Sequence, residues 1–177
     1  NARGAPYTSL MALMFLGPLQ EGGVFRDAGI SGPRRVLDKV WKLVTEAGDP
    51  DAKGAEIRHD VLIKWHQTKQ RVTEALDGLH YNVAIAALME LVGSLRDTNC
   101  AEPAVISALV RMTAPFAPHF AAECWERLGH DASVFDSDWP EFDPSLLVEE
   151  IVTVAVPVGG QTRGTVRAAR RAPEPAR

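Results

Sequence analysis

The sequence lacks the features that mark a secreted, membrane-spanning or metal-holding protein. Its 177 residues include only two cysteines, Cys100 and Cys124, too few for a disulfide framework and too isolated for a zinc site. No apolar run approaches the roughly 20 residues that a transmembrane helix needs, and the first residues show no basic leader or cleavage pattern of a secretory signal. We therefore expect a cytoplasmic protein with no membrane partner, in which both cysteines are small buried hydrophobes.

Catalytic motifs are missing as well. The five histidines include no pair four residues apart and no HExxH motif, and no Walker or dinucleotide-binding motif is present. No serine lies in the context of a nucleophile elbow. Glu149 and Glu150 are neighbours on a presumed strand, so they point to opposite faces and cannot share a proton. The residues therefore predict no catalytic site, no metal site and no cofactor bound by this chain.

Positive charge is scarce overall but locally concentrated. The chain has 19 Lys and Arg against 23 Asp and Glu, a net charge of −4, which argues against a dedicated nucleic-acid-binding domain and gives no reason to expect DNA as a partner. Residues 130–150 hold seven acids and no Lys or Arg, whereas Arg34–Lys42 carries four basic residues against the single Asp38. Because the charges are segregated, a local basic face can coexist with an acidic total.

Apolar residues at helical spacing predict a bundle of α-helices. The predicted helices are a short one within Tyr7–Leu19, one that Pro33 opens with Ser31 as a cap, a long one over Ala55–Leu79, one capped by Asn82, one that starts at Glu102-Pro103 and one that runs from Pro118 to Leu128. The longest stripe is Ile57, Val61, Trp65, Thr68, Val72, Leu76 and Leu79. Because only His80-Tyr81-Asn82 separates it from the next stripe, the two helices should form an antiparallel hairpin.

Two prolines predict a sharp corner late in the bundle. Pro115 and Pro118 interrupt the apolar pattern of Met112–Trp125, and proline both lacks an N–H and clashes with the preceding turn. One helix should therefore stop near Thr113, and the next should take Pro118 into its first turn, where the missing N–H has no partner to lose.

The pattern changes from Glu150 onward, where apolar residues alternate. Ile151–Val156, a Gly159-Gly160 turn and Thr162–Val166 predict a β-hairpin, followed by disorder over Arg167–Arg177. We thus expect a mainly α protein with a helical bundle over residues 1–147 and an incomplete C-terminal unit over residues 148–177.

Basic side chains on the predicted helices are the one functional lead in the residues themselves. Arg34, Arg35, Lys39 and Lys42, with Lys64, Lys69 and Arg71, could form a face that binds phosphates. The alternative is that these charges are simply the solvated exterior of a bundle, which composition alone favours. The tryptophans are expected to anchor the core rather than stack on bases, because Trp41, Trp65 and Trp125 lie on apolar stripes.

Several segments resemble bacterial leucyl-tRNA synthetases. Leu109–Leu128, which contains APFAPH, is similar to the corner in the anticodon-binding helical domain of class I synthetases for leucine, valine and isoleucine. Trp65–Glu90, WHQTKQRVTEALDGLHYNVAIAALME, resembles without a gap the leucyl pattern LHKTIKKVTEDIERLRFNTAIAALME. Phe15–Leu19 and Val36–Val44 are similar to FMGPL and FLDRVWRLV, and Val156–Val166 is similar to the hairpin VQVNGKVRGKI.

The resemblance implies a class I synthetase anticodon-binding helix bundle, followed by the start of a small α+β C-terminal domain. The whole enzyme would use ATP and Mg²⁺ to attach leucine to tRNA(Leu) in a nucleotide-binding core with HIGH and KMSKS motifs, which are absent from this chain. The resemblance implies that this core and the inserted editing domain precede the first residue here. The implied partners are tRNA(Leu) and those missing domains, and the chain alone should be catalytically inactive. Base-specific readout is not expected.

The resemblance also narrows the candidate RNA contacts. They are Arg34, Arg35, Lys39, Lys42, Lys69 and Arg71 on the helices, and Arg163 in the hairpin. The hairpin departs from the family pattern because Gly159 and Gln161 replace its Asn and Lys, while Arg163 is retained. Two other interpretations remain open: the equivalent bundle of a valyl or isoleucyl enzyme, and a stand-alone helical interaction module without a role in RNA binding.

Overall fold

A computed structural model of the chain describes residues 11, 13, 14, 31–47, 57–147, 151–158 and 161–169, the last two ranges by their backbone only. The helices are α1 (Ser31–Ala47), α2 (His59–Asp77), α3 (Tyr81–Asp97), α4 (Pro103–Thr113) and α5 (Pro118–Arg127). Two short 3-10 turns, Val134–Asp136 and Pro144–Leu146, precede the strands β1 (Ile151–Val158) and β2 (Gln161–Ala169). The predicted mainly α class is confirmed. The helix predicted within Tyr7–Leu19 falls almost entirely outside the described residues.

Helices α2 and α3 form the predicted antiparallel hairpin and make the most extensive helix–helix contact of the described residues. The chain reverses through Gly78, which ends α2 with its N–H bonded to the carbonyl of Glu74, and His80, which precedes α3. Leu79 was predicted on the apolar stripe, and this was wrong. It adopts a left-handed conformation (φ 56°) and is 55% exposed, because the residue after the helix end must turn the chain out of the core.

Helix α1 begins at Ser31, which was predicted as its cap, and two other helix starts also differ from those predicted. Helix α2 begins at His59 rather than Ala55, because Arg58 is extended (φ −62°, ψ 143°) and forms the N-terminal boundary. Helix α3 begins at Tyr81, so Asn82 lies inside its first turn instead of capping it. In both cases the apolar periodicity correctly predicted a helix, whereas the local backbone conformation determined its first residue.

The proline corner is confirmed. Helix α4 ends at Thr113 and α5 begins with Pro118 at its first position. Between them Phe116 is fully buried (0% exposed) and meets Tyr81 edge-on, with ring centroids 6.2 Å apart and planes at 82°. The corner therefore places the ring of Phe116 against Tyr81 of α3. The edge-to-face contact stabilises the fold in addition to the burial of the ring.

Helix α3 lies at the centre of the bundle and packs against α1, α2 and α4. Its inner residues are buried to within 1% of complete: Ala84, Ile85, Ala87, Leu88, Leu91, Val92 and Leu95. Cys100 and Cys124 are buried and unpaired, as predicted. Burial raises the pKa of the Cys124 thiol to about 12, so this thiol stays protonated and unreactive at neutral pH.

The acidic residues 131–147 form a strap that crosses the bundle surface in irregular conformation. Hydrogen bonds join the strap to three helices. Trp125 Nε1 of α5 donates to Ala132 O at 3.0 Å, and Arg111 of α4 donates to Asp138 O at 2.8 Å. In the third bond, Trp139 Nε1 of the strap donates to Thr73 Oγ1 of α2 at 2.8 Å. His130, just before the strap, stacks on Trp125 with centroids 3.7 Å apart. The strap is thus part of the folded bundle.

Strands β1 and β2 pair antiparallel in the predicted hairpin, with Ile151 opposite Ala169 and Val154 opposite Val166. The predicted Gly159-Gly160 turn lies outside the described residues. Strand β2 continues through Ala169, so Arg167–Ala169 belong to the hairpin rather than to the disordered tail that was predicted. The proposed domain boundary at residue 147 stays a prediction. No described helix is long and apolar enough to cross a bilayer.

Candidate nucleic-acid interface

One side of α1 is basic and exposed, and the other side is buried. Arg34, Arg35, Lys39 and Lys42 are all exposed, whereas Val36, Leu37, Val40, Leu43 and Val44 are at most 7% exposed. The two sets separate because apolar residues at steps of three and four place every intervening position outside. Of the sequence-predicted RNA contacts, these four are brought together on a single helix face, which we call the α1 face.

The acids near the α1 face do little to cancel its charge. Asp38 lies among the four cations, and Glu46 lies one turn beyond Lys42. Glu46 is already engaged, because both of its carboxylate oxygens accept from Arg96 of α3, at 2.7 and 2.9 Å. Counted over α1 itself, the four cations of the α1 face outnumber Asp38, the single acid among them.

A shallow groove extends the α1 face toward α3. It is lined by Arg35 and Lys39, with Gly32, Val36 and Met89. Met89 belongs to α3, so the cations of α1 border the outer surface of the central helix. The groove thus has apolar side chains at its base and basic side chains at its edges. Such a groove can accept a sugar–phosphate backbone, because the aliphatic parts of long basic side chains cover apolar surface while their charged ends reach outward.

On the other side of α3, Glu90 holds two cations of α2. Its carboxylate accepts from Lys64 Nζ and, at 3.1 Å, from Arg71 Nη1. The hydrogen bond from Lys64, followed by the other contacts of Lys64 and Arg71, holds the pKa of Glu90 below its usual range despite partial burial. Arg71 is thus exposed as predicted, but it is paired with Glu90, and it lies on α2 rather than on the α1 face. Glu90 and its link to Lys64 were missed at the sequence level.

Lys69 is not on the surface with the other candidates. Its side chain lies under the strap, only 4% of the residue is exposed, and Nζ sits 4.1 Å from the centroid of the Trp65 ring. Burial, then the nearby Arg111, lowers its pKa, while Asp143 opposes this. A phosphate cannot reach a buried ammonium without displacing the strap, so Lys69 is better explained as part of the bundle interior.

Arg163 occupies an irregular position in the hairpin. Val156 is opposite Gly164, but Pro157 is opposite Thr162, so Arg163 is the extra residue of a β-bulge. Proline cannot donate to the ladder, which favours an interruption at this point. Bulges change the local direction of a strand and are common beside functional sites. The structure describes the hairpin by its backbone, and the RNA role of Arg163 stays a prediction.

Among the described residues, no group of three or more His, Cys, Asp or Glu side chains is arranged to hold a metal ion. The candidate site of this part of the chain is therefore a charged surface without a metal centre.

The helical bundle with its proline corner and strap defines the class of protein. Residues 59–177 match the family model described as the anticodon-binding domain of tRNA ligase. The chain belongs to this family of anticodon-binding domains. The resemblance to leucyl-tRNA synthetases is confirmed by its relatives, which are leucine–tRNA ligases.

Two of these relatives illustrate the extent of the match. The leucine–tRNA ligase of Chlorobium phaeobacteroides is 35% identical over 163 residues, which cover 91% of this chain and 20% of the relative. That of Chlorobaculum parvum is 38% identical over 157 residues, which cover 88% of this chain and 20% of the relative. The chain thus spans about a fifth of the length of the ligases that it matches.

A solved structure shares the fold. It is the agnB2 LeuRS of Agrobacterium radiobacter K84 in a ternary complex with tRNA and LeuAMS, with a TM-score of 0.75 and 23% identity, covering 97% of this chain and 24% of the other. At this identity the likeness establishes the architecture.

Proposed function

We propose that this chain is the tRNA-docking part of a cytoplasmic leucine–tRNA ligase, an enzyme that attaches leucine to tRNA(Leu) with the energy of ATP. ATP and Mg²⁺ would bind to the nucleotide-binding catalytic domain outside this stretch, which would itself catalyse nothing. Membership in the anticodon-binding family and the leucine–tRNA ligase relatives support the proposal. The observation that carries the docking role is the exposed α1 face.

The position of two arginines argues against a purely solvated exterior. Arg34 and Arg35 lie in or next to the first turn of α1, which contains no acid. A helix N-terminus carries partial positive charge, so cations there oppose helix stability by about 0.3–1 kcal/mol. Solubility could be gained equally well by cations elsewhere. Their placement instead adds two guanidinium groups to a positive helix end, which is a favourable arrangement for phosphate.

The mode of recognition that follows is electrostatic. Arginine and lysine contacts to phosphates fix the register and orientation of a nucleic acid without reading its bases. The α1 face would therefore position tRNA(Leu) for the catalytic and editing domains, while sequence discrimination would reside elsewhere. Arg71 and Arg163 would make secondary contacts.

The test is a titration of the chain with a tRNA(Leu) transcript across a series of salt concentrations. If about four phosphates are neutralised, the slope of log K against log salt should lie near −3. A double-stranded DNA of similar charge serves as the control and should bind more weakly, because its shape does not match a surface built for tRNA. No salt-dependent binding of tRNA at low ionic strength would refute the docking role.

Removing the Glu90 carboxylate should strengthen RNA binding. In Glu90→Gln the ion pairs to Lys64 and Arg71 are lost, which leaves two cations available to phosphate, so we expect a several-fold rise in tRNA affinity and a steeper salt slope. The free energy of unfolding should fall by less than about 1 kcal/mol, since the pairs are exposed.

The same variant predicts a pH dependence. The pKa of Glu90 is lower in the folded protein, so its stabilisation is present above the usual pKa of a glutamate and is lost as the pH falls through the lower folded value. Thermal melts of both proteins between neutral and acid pH should therefore converge at the acid end. Unchanged RNA affinity in Glu90→Gln would show that Lys64 and Arg71 lie off the RNA path.

A further inference from the structure

The last residues of the strap are fastened to α2 through one histidine. The backbone N–H of Asp143 donates to His66 Nδ1 at 2.8 Å, and Gln67 Nε2 donates to Leu147 O at 3.5 Å, the limit of a hydrogen bond. The His66 ring is held edge-on by Trp65, with centroids 5.0 Å apart. Upstream, the nearest fastening is the bond from Trp139 to Thr73. His66 is therefore the main anchor of the final third of the strap.

This anchor requires a neutral imidazole. A ring nitrogen that accepts from a backbone N–H cannot carry a proton, so the neutral ring holds its proton on Nε2. Lys69 Nζ lies 3.3 Å from Nε2, where a charged ammonium and the ring N–H are both donors and do not bond each other. A protonated His66 would lose its acceptor for Asp143 and would place a second positive charge beside Lys69.

The charged groups around His66 have opposing effects on its pKa. Burial first, then Lys69, lowers the pKa of His66, while Asp143 raises it. Behind Lys69 lies Arg111 of α4, which bonds to the carbonyl of Asp138 in the strap. The carboxylates of Asp143 and Asp138 thus face two basic groups, and the balance favours a neutral His66 at neutral pH.

The anchor also limits where the hairpin can lie. From Asp143, the residue that His66 holds, to the first residue of β1, Ile151, are eight residue steps, which reach at most about 29 Å in any conformation. If the strap left His66 and the long bond from Gln67 opened with it, the nearest remaining side-chain hydrogen bond to a helix would be that of Trp139, twelve steps from Ile151, with a reach of up to about 43 Å.

We propose that His66 is a positioning residue for the C-terminal hairpin, whose neutral ring fixes Asp143 of the strap on α2 and confines Arg163 to a smaller volume than a released strap would allow. The proposal rests on the docking function, because confinement raises the effective concentration of the second contact once tRNA is held by the first. His66 itself need not touch RNA.

The sign of the pH effect follows from the anchor. Because the folded protein favours neutral His66, the anchored strap is stable above the usual pKa of histidine, about 6.5, and weakens as the pH falls below it. Asn offers a carbonyl oxygen near the place of Nδ1 and does not titrate. His66→Asn should therefore keep the anchor and lose the pH dependence, whereas His66→Ala should lose the anchor at every pH.

The test measures the distance between spin labels at Glu126→Cys in α5 and Thr165→Cys in β2, in the full chain without RNA. The two native cysteines are buried and are expected to stay unlabelled, with the unsubstituted chain as the labelling control. Wild type should give a narrower distribution at pH 7.5 that widens near pH 5 by up to about 1.5-fold, the ratio of the two tether lengths. The distance distribution of His66→Ala should be wide at both pH values, and that of His66→Asn should be narrow at both. Circular dichroism should confirm that the helices of each variant are intact.

Equal, pH-independent distributions in all three proteins would overturn the proposal, and they would leave tRNA docking untouched because no RNA is present. In a second arm at pH 7.5, tRNA(Leu) should bind His66→Ala several-fold more weakly than His66→Asn. Widened distances with equal tRNA affinities would refute the positioning role while retaining the anchor.

Discussion

Reversing the charges of Arg34 and Lys39 together is expected to weaken tRNA(Leu) binding about 10- to 100-fold and to flatten the salt slope by about 2, because two phosphate contacts are lost and two repulsive charges are added. Both side chains are exposed on the α1 face, so the core is not disturbed. Salt titrations of wild type and Arg34→Glu/Lys39→Glu measure both quantities.

The thermal stability of Arg34→Glu/Lys39→Glu should not fall with its tRNA affinity. An acid in the first turn of α1 interacts favourably with the helix N-terminus, so the variant should melt at the same temperature as wild type or slightly higher. A control of equal net charge is Arg58→Glu/Arg127→Glu, at exposed positions just before α2 and at the end of α5. If the control loses as much affinity as the α1 variant, the effect comes from net charge and the α1 face is not the docking site.

Removing the ring of Phe116 should cost about 3–5 kcal/mol of unfolding free energy. This ring is fully buried at the proline corner and meets Tyr81 edge-on, so Phe116→Ala leaves a cavity and removes an aromatic contact. A loss of this size is a large share of the 5–15 kcal/mol that stabilises a typical domain. Urea unfolding followed by circular dichroism measures it.

The matched control for that substitution is Phe135→Ala. Phe135 is 59% exposed in the strap, so its loss should change the unfolding free energy by no more than about 0.5 kcal/mol. Equal effects of the two substitutions would mean that the corner does not hold the core together.

Local rules were enough to predict the helical framework. The stripe of α2 and the short link at His80 predicted a hairpin, and Pro115 and Pro118 predicted the corner, because proline acts on its own neighbours in the chain. Helix ends were less predictable: the left-handed Leu79 and the extended Arg58 depend on how the chain reverses and enters the bundle.

The α1 face was predictable for the same reason, since an amphipathic helix determines which of its residues are exposed. The pairing of Lys64 and Arg71 with Glu90 could also have been anticipated. The two cations are seven residues apart on one face of α2, and an antiparallel partner that returns from His80 brings Glu90 opposite the stretch between them.

The burial of Lys69 could not be predicted from local pattern. Its neighbours Gln70 and Arg71 are polar, and the charged groups that shift its pKa, Arg111 and Asp143, are more than 40 residues away in the chain. The strap that covers it has no periodicity, because its position depends on single hydrogen bonds to three helices rather than on a repeating face. Long-range side-chain bonds of this kind carry no signature in a single sequence.

The central claim is that tRNA lies on the α1 face, and lysine footprinting tests it most directly. The chain is acylated with and without saturating tRNA(Leu), and each lysine is quantified by mass spectrometry. Lys39 and Lys42 are exposed, whereas Lys69 is buried and serves as the internal reference. We predict severalfold protection of Lys39 and Lys42 by tRNA, with Lys69 unreactive in both samples. Unchanged acylation of Lys39 and Lys42 while tRNA is bound would contradict the account.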